Sequence, residues 1–183
     1  IMWWIILLVV LVLIVLYVVS TYNGLVGLRN KVHDQFSKID IQLKRRFDLI
    51  PNLVETVKGY AAHEEVTLKG IIEARNAYQT ANTKEGALEA DTQLTKSISK
   101  LFALAEAYPE LKANTNFMAL QNDLKDTEDK ISYARQFYSD SVLKYNNKIQ
   151  MFPNNIVAKL FGFKSEQFFE ANNNERESVK VEL

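Results

Sequence analysis

The nearest approach to a catalytic signature in this chain is the string His63-Glu64-Glu65-Val66-Thr67. A metalloprotease helix with the pattern His-Glu-x-x-His places two imidazoles one turn apart, so that both can bind one zinc ion. Thr67 occupies the position of the second histidine, and the other histidine of the chain, His33, has no ligand partner at suitable spacing. We therefore expect both histidines to be ordinary surface or half-buried groups.

Other patterns that support catalysis or cofactor binding do not occur in the sequence. The chain has no cysteine, no Gly-x-Ser-x-Gly, no P-loop, no Gly-x-Gly-x-x-Gly and no EF-hand string. A di-iron helical bundle needs Glu-x-x-His on two helices, and this spacing is also absent. The carboxylates are interpreted as solvated helix faces, and we expect no enzymatic activity, no cofactor and no metal.

The composition is that of one helical domain that follows an apolar N-terminal run. Among 183 residues, 22 basic side chains balance 22 acidic ones. This balance gives no overall positive field, so nucleic acid is not an expected partner.

Residues 1–19 form an unbroken apolar run, IMWWIILLVVLVLIVLYVV. At ~1.5 Å rise per residue the run covers about 28 Å, close to the roughly 30 Å hydrocarbon core of a bilayer. The aromatic residues expected at the headgroup level on its two sides are Trp3, Trp4, Tyr17 and Tyr22. The alternative is a signal peptide, whose apolar region is typically about 7–15 residues. We expect residues 1–20 to be an uncleaved transmembrane anchor in the lipid bilayer.

Basic residues follow the predicted anchor, and none precedes it in this sequence. The first six are Arg29, Lys31, Lys38, Lys44, Arg45 and Arg46. The positive-inside rule then predicts a single-pass protein of the cell membrane with its folded part in the cytoplasm. Lysines upstream of Ile1 would reverse this orientation.

Apolar residues recur at spacings of three and four after the anchor, which predicts helices throughout. Lys44, Arg45 and Arg46 are interpreted as the last turn of a first helix, and Asp48 and Pro51 as the start of a second. The alternative is one continuous helix kinked at Pro51. Further helices are predicted to end near residues 82–86, at Pro109 and at Pro153.

Short connections between these helices favour an antiparallel arrangement, because a brief loop cannot carry the chain back along a long helix. The predicted fold is all-α: an N-terminal transmembrane helix, then an antiparallel up-down-up-down four-helix bundle over residues 21–152. This topology brings the end of the fourth helix back toward the membrane. Residues 153–171 are therefore predicted to be a membrane-proximal amphipathic and aromatic segment, and residues 172–183 a polar tail.

The C-terminal segment is too apolar to be a solvated tail. It carries Ile156, Val157, Leu160, Phe161, Phe163, Phe168 and Phe169. One interpretation is a plug that packs on the open end of the bundle. The other is an interfacial helix on the headgroups or a contact with a neighbouring subunit, which would use Leu160, Phe161 and Phe163. On the fourth helix, Tyr133 and Phe137 lie off the main apolar stripe and are candidates for subunit contact.

A set of spaced strings resembles the LemA family. Among them are Gln42-Leu43-Lys44-Arg45-Arg46, Asp48-Leu49-Ile50-Pro51-Asn52-Leu53-Val54, Val57-Lys58-Gly59-Tyr60-Ala61, Tyr108-Pro109-Glu110-Leu111-Lys112-Ala113, Tyr145-Asn146 and Phe152-Pro153. The resemblance covers the chain from the anchor to about Phe163. One departure is Ser139, where the family pattern places Asn after Tyr138.

The resemblance implies a bacterial protein with one N-terminal span, a helical bundle and no assigned active site. Some family members are linked with a membrane-embedded zinc metalloprotease or with magnetosome membrane formation. The motif residues Arg45, Arg46, Asp48 and Asn52 would form either a buried polar junction or a partner surface.

These features together predict a non-enzymatic, membrane-anchored helical scaffold that forms a homo-oligomer and organises membrane or partner proteins. The alternative is a client- or partner-binding adaptor for a membrane-bound protease in envelope quality control. In that case the partner is another membrane protein.

Overall fold

The computed structural model describes residues 2–168, except for the side chains of Lys84, Glu85 and Leu88. Ile1, Phe169 and the predicted polar tail 172–183 lie outside the described residues. The helices are α1 (Met2–Lys58), α2 (Glu65–Thr80), α3 (Lys84–Ala105), α4 (Pro109–Lys112), α5 (Thr115–Gln150) and α6 (Asn154–Leu160). No strand occurs in this described range, and the predicted all-helical class is confirmed.

The helix α1 is continuous over 57 residues with Pro51 inside it, so the predicted break at Asp48–Pro51 is wrong. The physical reason is packing. Apolar side chains are buried immediately before and after the proline, at Phe47, Ile50 and Leu53, and this burial holds both halves of the helix in place. The helix ends instead near Gly59, where the Ala61 amide donates to the Val57 carbonyl at 2.8 Å.

The predicted second helix is consequently divided. Its first part belongs to α1, and its second part is α2, which begins only at Glu65. A connection of three residues joins α2 to α3, and the Thr83 side chain caps α3 by accepting a hydrogen bond from the Gly86 amide at 3.1 Å. The two helices pack against each other as a hairpin.

The chain divides into two compact units. Unit 1 comprises residues 1–38 and 133–183, and unit 2 comprises residues 39–132. Unit 2 has an extensive apolar core, whose fully buried members include Ile50, Leu53, Val57, Ile71, Leu101 and Leu111. Unit 1 buries Leu25 and Val32 of α1 and Val142 and Tyr145 of α5. The antiparallel four-helix arrangement stays a prediction.

The short helix α6 of unit 1 ends in a turn that requires a glycine. Gly162 has φ 71°, a left-handed conformation that residues with a Cβ rarely adopt. The Phe163 amide donates to the Ala158 carbonyl at 2.9 Å and the Gly162 amide to the Lys159 carbonyl at 3.3 Å, which is a Schellman motif. Residues 163–168 then leave the helix without regular secondary structure.

The apolar run at the start of α1 has almost no protein around it. Its side chains are exposed from Met2 to Val19, apart from the partly covered Val18. Among the described residues, α1 is the one helix that is long and apolar enough to cross a membrane. The predicted long apolar N-terminal helix is therefore confirmed.

Candidate functional site

The charged motif that follows the first half of α1 splits into a buried and an exposed part. Arg46 is 1% exposed, in the middle of unit 2. Its guanidinium donates hydrogen bonds to the carboxylates of Asp91 on α3 and Glu128 on α5. It also donates to the Asp91 carbonyl at 3.0 Å and to the Thr95 hydroxyl at 2.9 Å. One side chain thus ties three helices of unit 2 together.

The hydrogen bonds from Arg46 to Asp91, Thr95 and Glu128 compensate the cost of burying its charge. A guanidinium out of water is costly unless its donors are paired, and its planar fork suits two carboxylates at once. Asp91 is as buried as its partner, with 2% exposed, whereas the Glu128 side chain is 44% exposed. Arg46 therefore lies in a buried polar cluster of unit 2.

A tyrosine in unit 2 adds a further polar contact. Tyr78 of α2 donates its hydroxyl to the Asp40 carboxylate at 3.3 Å, and its ring packs on Phe47. Burial, with the neighbouring charge of Asp40, raises the pKa of Tyr78 from 10.0 to about 12. The phenol stays protonated at neutral pH and serves as a hydrogen-bond donor, not as an acid or base.

The other residues of the predicted motif are exposed. Arg45 lies 3.8 Å from Asp123 and 3.7 Å from Asp126, in ion pairs that are open to solvent. Asp48 and Asn52 also face the solvent. Exposed ion pairs such as those of Arg45 contribute little to stability.

An open groove of about 430 Å³ runs beside Asn52 in unit 2. It is lined by polar and apolar groups of Asn52, Glu55, Thr56, Asn116, Ala119, Leu120 and Asp123. The groove brings one predicted motif residue together with side chains of α5 that the sequence does not single out.

The aromatic residues predicted for subunit contact lie on the outside of unit 1. Tyr133 is 64% exposed and Phe137 is 59% exposed. They are four residues apart on α5 and so lie on one face of it. Tyr138 and Tyr145, on a neighbouring face of the same helix, are buried.

The buried side of α5 holds the segment that follows α6. The Asn146 side chain makes two hydrogen bonds to the Glu166 backbone, donating to its carbonyl at 2.8 Å and accepting from its amide at 2.9 Å. Tyr145 donates to the Lys164 carbonyl at 2.9 Å and Tyr138 to the Gln167 carbonyl at 2.9 Å. Burial raises the pKa of both tyrosines, which keeps them protonated as donors.

This arrangement places the three predicted C-terminal residues at different depths. Leu160 is 73% exposed and Phe161 is half exposed, whereas Phe163 is partly covered. The Phe161 and Phe163 rings meet Tyr22 of α1 edge to face, with ring centroids 4.9 Å and 5.6 Å apart. The segment packs on α1 and also leaves apolar surface exposed, and both interpretations of it stay predictions.

The aromatic residues at the ends of the apolar run differ in their contacts. Trp3 and Trp4 are 84% and 78% exposed. Tyr17 donates its hydroxyl to the Asn154 side chain of α6 at 2.8 Å, and Tyr22 lies against the C-terminal rings. The two tyrosines therefore join α1 to α6 as well as flanking the run.

The histidines lie where the sequence predicts them. His63 and His33 are both exposed, and His33 lies 3.6 Å from the Glu166 carboxylate. Glu64 accepts a hydrogen bond from Tyr108 at 3.0 Å, and this bond raises the pKa of Tyr108. Over residues 2–168, no group of three or more potential ligands is positioned to hold a metal ion.

Several of the residues that define these contacts could not be identified from the sequence. Asp91 and Thr95 sit in an ordinary amphipathic helix, and nothing in their spacing points to an arginine 45 residues away. Asn146 is part of a string shared with the LemA family, but that pattern gives no partner. A long-range pairing of this kind becomes visible only when the helices are packed.

Comparison with known proteins places the chain in a family. The model of the LemA family matches residues 35–183. The protein LemA of Metamycoplasma hominis is 26% identical over 162 residues, which are 88% of this chain and 74% of that relative. The magnetosome protein MamQ of Magnetospirillum gryphiswaldense is 24% identical over 174 residues, 81% of this chain and 64% of that relative.

A second magnetosome relative gives the same result. Magnetosome protein MamQ 2 of Paramagnetospirillum magneticum is 24% identical over 175 residues, and the chain again spans 64% of its length. The apolar helix α1 and these relatives together indicate a membrane-associated helical protein. Because the family model covers most of the sequence and agrees with the motif strings of α1, α4 and α5, this protein belongs to the LemA family.

Proposed function

We propose that this protein is a non-enzymatic, membrane-anchored helical scaffold that self-assembles and organises membrane or partner proteins. The first part of α1 is its single anchor, and the remaining helices form an antiparallel bundle. The observation that carries the proposal is the exposed aromatic pair Tyr133 and Phe137 on α5.

The anchor is supported by the contrast between the two parts of α1. Residues 2–19 have only apolar side chains and are exposed, which is unfavourable in water at about 25 cal/mol per Å² of apolar surface. Beyond residue 20 the same helix has a buried stripe that includes Leu25, Val32 and Ile39. Lipid around the first part and protein around the second satisfy both patterns.

Self-assembly is supported by the surface of α5. Scattered exposed apolar residues are common, but Tyr133 and Phe137 form an adjacent pair on one helical face, and large aromatic residues are enriched at subunit interfaces. A second copy that uses the same face would bury both pairs in an isologous contact.

The proposal is tested by the mass of the full-length chain in mild detergent, measured by light scattering with the detergent contribution subtracted. We expect an oligomer for the natural sequence and a shift toward monomer for the double variant Y133S/F137S. The matched control is L143S. Leu143 is 49% exposed on the same helix, about 100° around the axis from the pair.

Three outcomes separate the possibilities. An oligomer that dissociates in Y133S/F137S but not in L143S supports the proposal. A natural chain that is monomeric at all protein concentrations contradicts self-assembly. An oligomer that neither variant affects contradicts the assignment of the contact to α5.

The bundle is proposed to lie on the cytoplasmic side, because Arg29 and Lys31 are the first charges after the anchor. The chain has no cysteine, so a single N82C substitution at an exposed position between α2 and α3 gives a clean reporter. A membrane-impermeant thiol reagent should label N82C only after the cells are lysed. Labelling of intact cells would place the bundle outside.

The second candidate function is an adaptor that binds a client or partner of a membrane-bound protease. The groove beside Asn52 supports it, since this motif residue is exposed there and does not contribute to the apolar core. A photo-cross-linking side chain at Asn52, used in native membranes, should then capture a membrane protease or its client. Cross-links only between copies of the chain would favour the scaffold.

A further inference from the structure

The helix α6 carries an exposed apolar stripe on a small amphipathic element. Ile156 and Leu160 are one turn apart and are 58% and 73% exposed, while Val157 and Ala158 on the other side are buried. Large apolar side chains on either side of the helix extend the stripe: Met151, Phe152 and Phe161 are all at least half exposed. Five neighbouring residues of this size form a patch that is unusual for a surface in water.

The stripe lies beside the point where the apolar run of α1 ends. Asn154, at the start of α6, accepts the hydrogen bond of Tyr17, which is two residues before the end of that run. Phe161, just after α6, packs on Tyr22, three residues after the run. The contacts of α6 therefore fall within about 8 Å along the axis of α1, since each residue rises 1.5 Å. This is the level at which a helix that crosses a bilayer leaves the hydrocarbon.

Most charges of this region are basic, and the acidic residue beside it, Glu166, lies 3.6 Å from His33. Residues 2–33 and 141–165 contain no Asp or Glu. Their basic residues are Arg29, Lys31, Lys144, Lys148, Lys159 and Lys164, and all six are exposed. The Arg29 guanidinium also lies 5.2 Å from the centre of the Phe163 ring, which joins the cations to the aromatic residues. The balanced net charge of the whole chain conceals this local excess.

We propose that α6 lies in the headgroup region of the bilayer that α1 crosses, with its apolar stripe below the surface and the six cations facing anionic lipid headgroups. Basic amphipathic helices bind such surfaces through buried apolar area and attraction to anionic lipid. A bilayer is favoured over a second copy because Asn154 and Phe161, at the two ends of α6, contact Tyr17 and Tyr22 at the end of the apolar run of α1. The inference rests on the proposed anchoring of the chain by α1.

The test uses nitroxide labels on the full-length chain in nanodiscs that hold one copy each. Single cysteines are introduced as L160C in the stripe, K159C on the polar side of the same helix and L11C in the middle of the apolar run. Collision rates with oxygen and with a water-soluble nickel chelate give the depth of each label. The lipid is phosphatidylcholine, with or without phosphatidylglycerol.

We expect the label in L160C at a depth of about 5–10 Å below the headgroup boundary, and the label in K159C in water. Adding phosphatidylglycerol should increase the depth of the L160C label. If both labels on α6 are in water while the L11C label is deep, the inference is wrong and the anchor stands. If the L11C label is also in water, the anchoring proposal and the inference both fail.

Two other results would also overturn the inference or a part of it. Protection of the L160C label that appears only when several copies share a nanodisc would assign the stripe to contact between copies. If the depth of the L160C label does not change with phosphatidylglycerol, the role of the six cations is wrong. The contact of the apolar stripe with lipid would then stand alone. Neither result depends on the solubility or fold of a truncated chain.

Discussion

The two units of this protein satisfy their buried polar groups in opposite ways. Unit 2 buries a charge, Arg46, and surrounds it with two carboxylates and a hydroxyl from α3 and α5. Unit 1 exposes cations such as Lys144 and Lys159 and uses neutral side chains, Tyr145 and Asn146, to hold the backbone of residues 164–166. The difference indicates that unit 2 pairs its buried charge within the unit. Unit 1 instead leaves basic side chains and apolar surface exposed to its surroundings.

This contrast fits the surfaces of the units. Unit 2 contains the main apolar core, from Ile50 to Leu124. Unit 1 contains the apolar run, the aromatic pair on α5 and the stripe on α6. The proposed scaffold would contact a membrane and further copies of the chain through such exposed surfaces. The well-packed unit 2 would contribute stability.

The largest effect is expected for R46M. The substitution leaves the buried Asp91 carboxylate without its cation, which costs about 3–5 kcal/mol of stability. It should accelerate amide hydrogen exchange in α2 and α3 and lower the denaturation midpoint of the detergent-solubilised chain. The adjacent R45M removes only exposed ion pairs and should cost less than about 1 kcal/mol. Equal effects of the two substitutions would contradict the buried junction.

A smaller loss of stability, located in unit 1, is expected for N146A. The variant loses two hydrogen bonds to the Glu166 backbone and leaves buried polar groups unpaired, at a cost of about 1–3 kcal/mol. Trypsin should then cleave after Lys164 much faster than in the natural chain, as followed by mass spectrometry. N147A, at the exposed neighbouring asparagine, is the control.

The pair of variants also tests the division into units. R46M should leave the cleavage rate after Lys164 nearly unchanged, and N146A should leave hydrogen exchange in α2 and α3 nearly unchanged. Coupling of either substitution to both readouts would show that the units do not respond separately.

How far the sequence predicts this molecule depends on the range of the interaction. The apolar run and the helix-period stripes are local patterns, and they correctly predict the all-helical class and the long N-terminal helix. The end of a helix at Pro51 is also a local prediction, and it is wrong because burial of Phe47, Ile50 and Leu53 outweighs the cost of a proline in a helix. Contacts far apart in the chain have no local signal.

The candidate site illustrates the same limit. The motif strings single out Arg45 and Arg46 equally, but the first faces the solvent and the second is 1% exposed. Two neighbouring residues point to different sides of a helix, and only the position of α3 and α5 decides which of them is covered. By contrast, Tyr133 and Phe137 lie off the apolar stripe in the sequence, and in the structure they are exposed on the surface of unit 1.

The smallest effect is a pH dependence in unit 2. The pKa of Tyr78 is raised to about 12 in the folded chain, above the unfolded value of 10.0. Its contribution to stability is therefore complete below pH 10 and is lost as the pH rises toward 12, because the unfolded chain releases the proton first. The natural chain should lose more stability than Y78F between pH 9 and about pH 11 in thermal unfolding followed by circular dichroism. The exposed Y133F is the control, and identical pH profiles for all three would contradict this assignment.

The most direct test of the scaffold is cross-linking of F137C in native membranes with a short bismaleimide. The chain has no other cysteine, so any product must pass through this position. Contact between copies across α5 predicts a homodimer for F137C and little product for L143C, which lies on another face of the same helix. A monomer with no homodimer for F137C, or equal dimer for both variants, would contradict self-assembly through this surface.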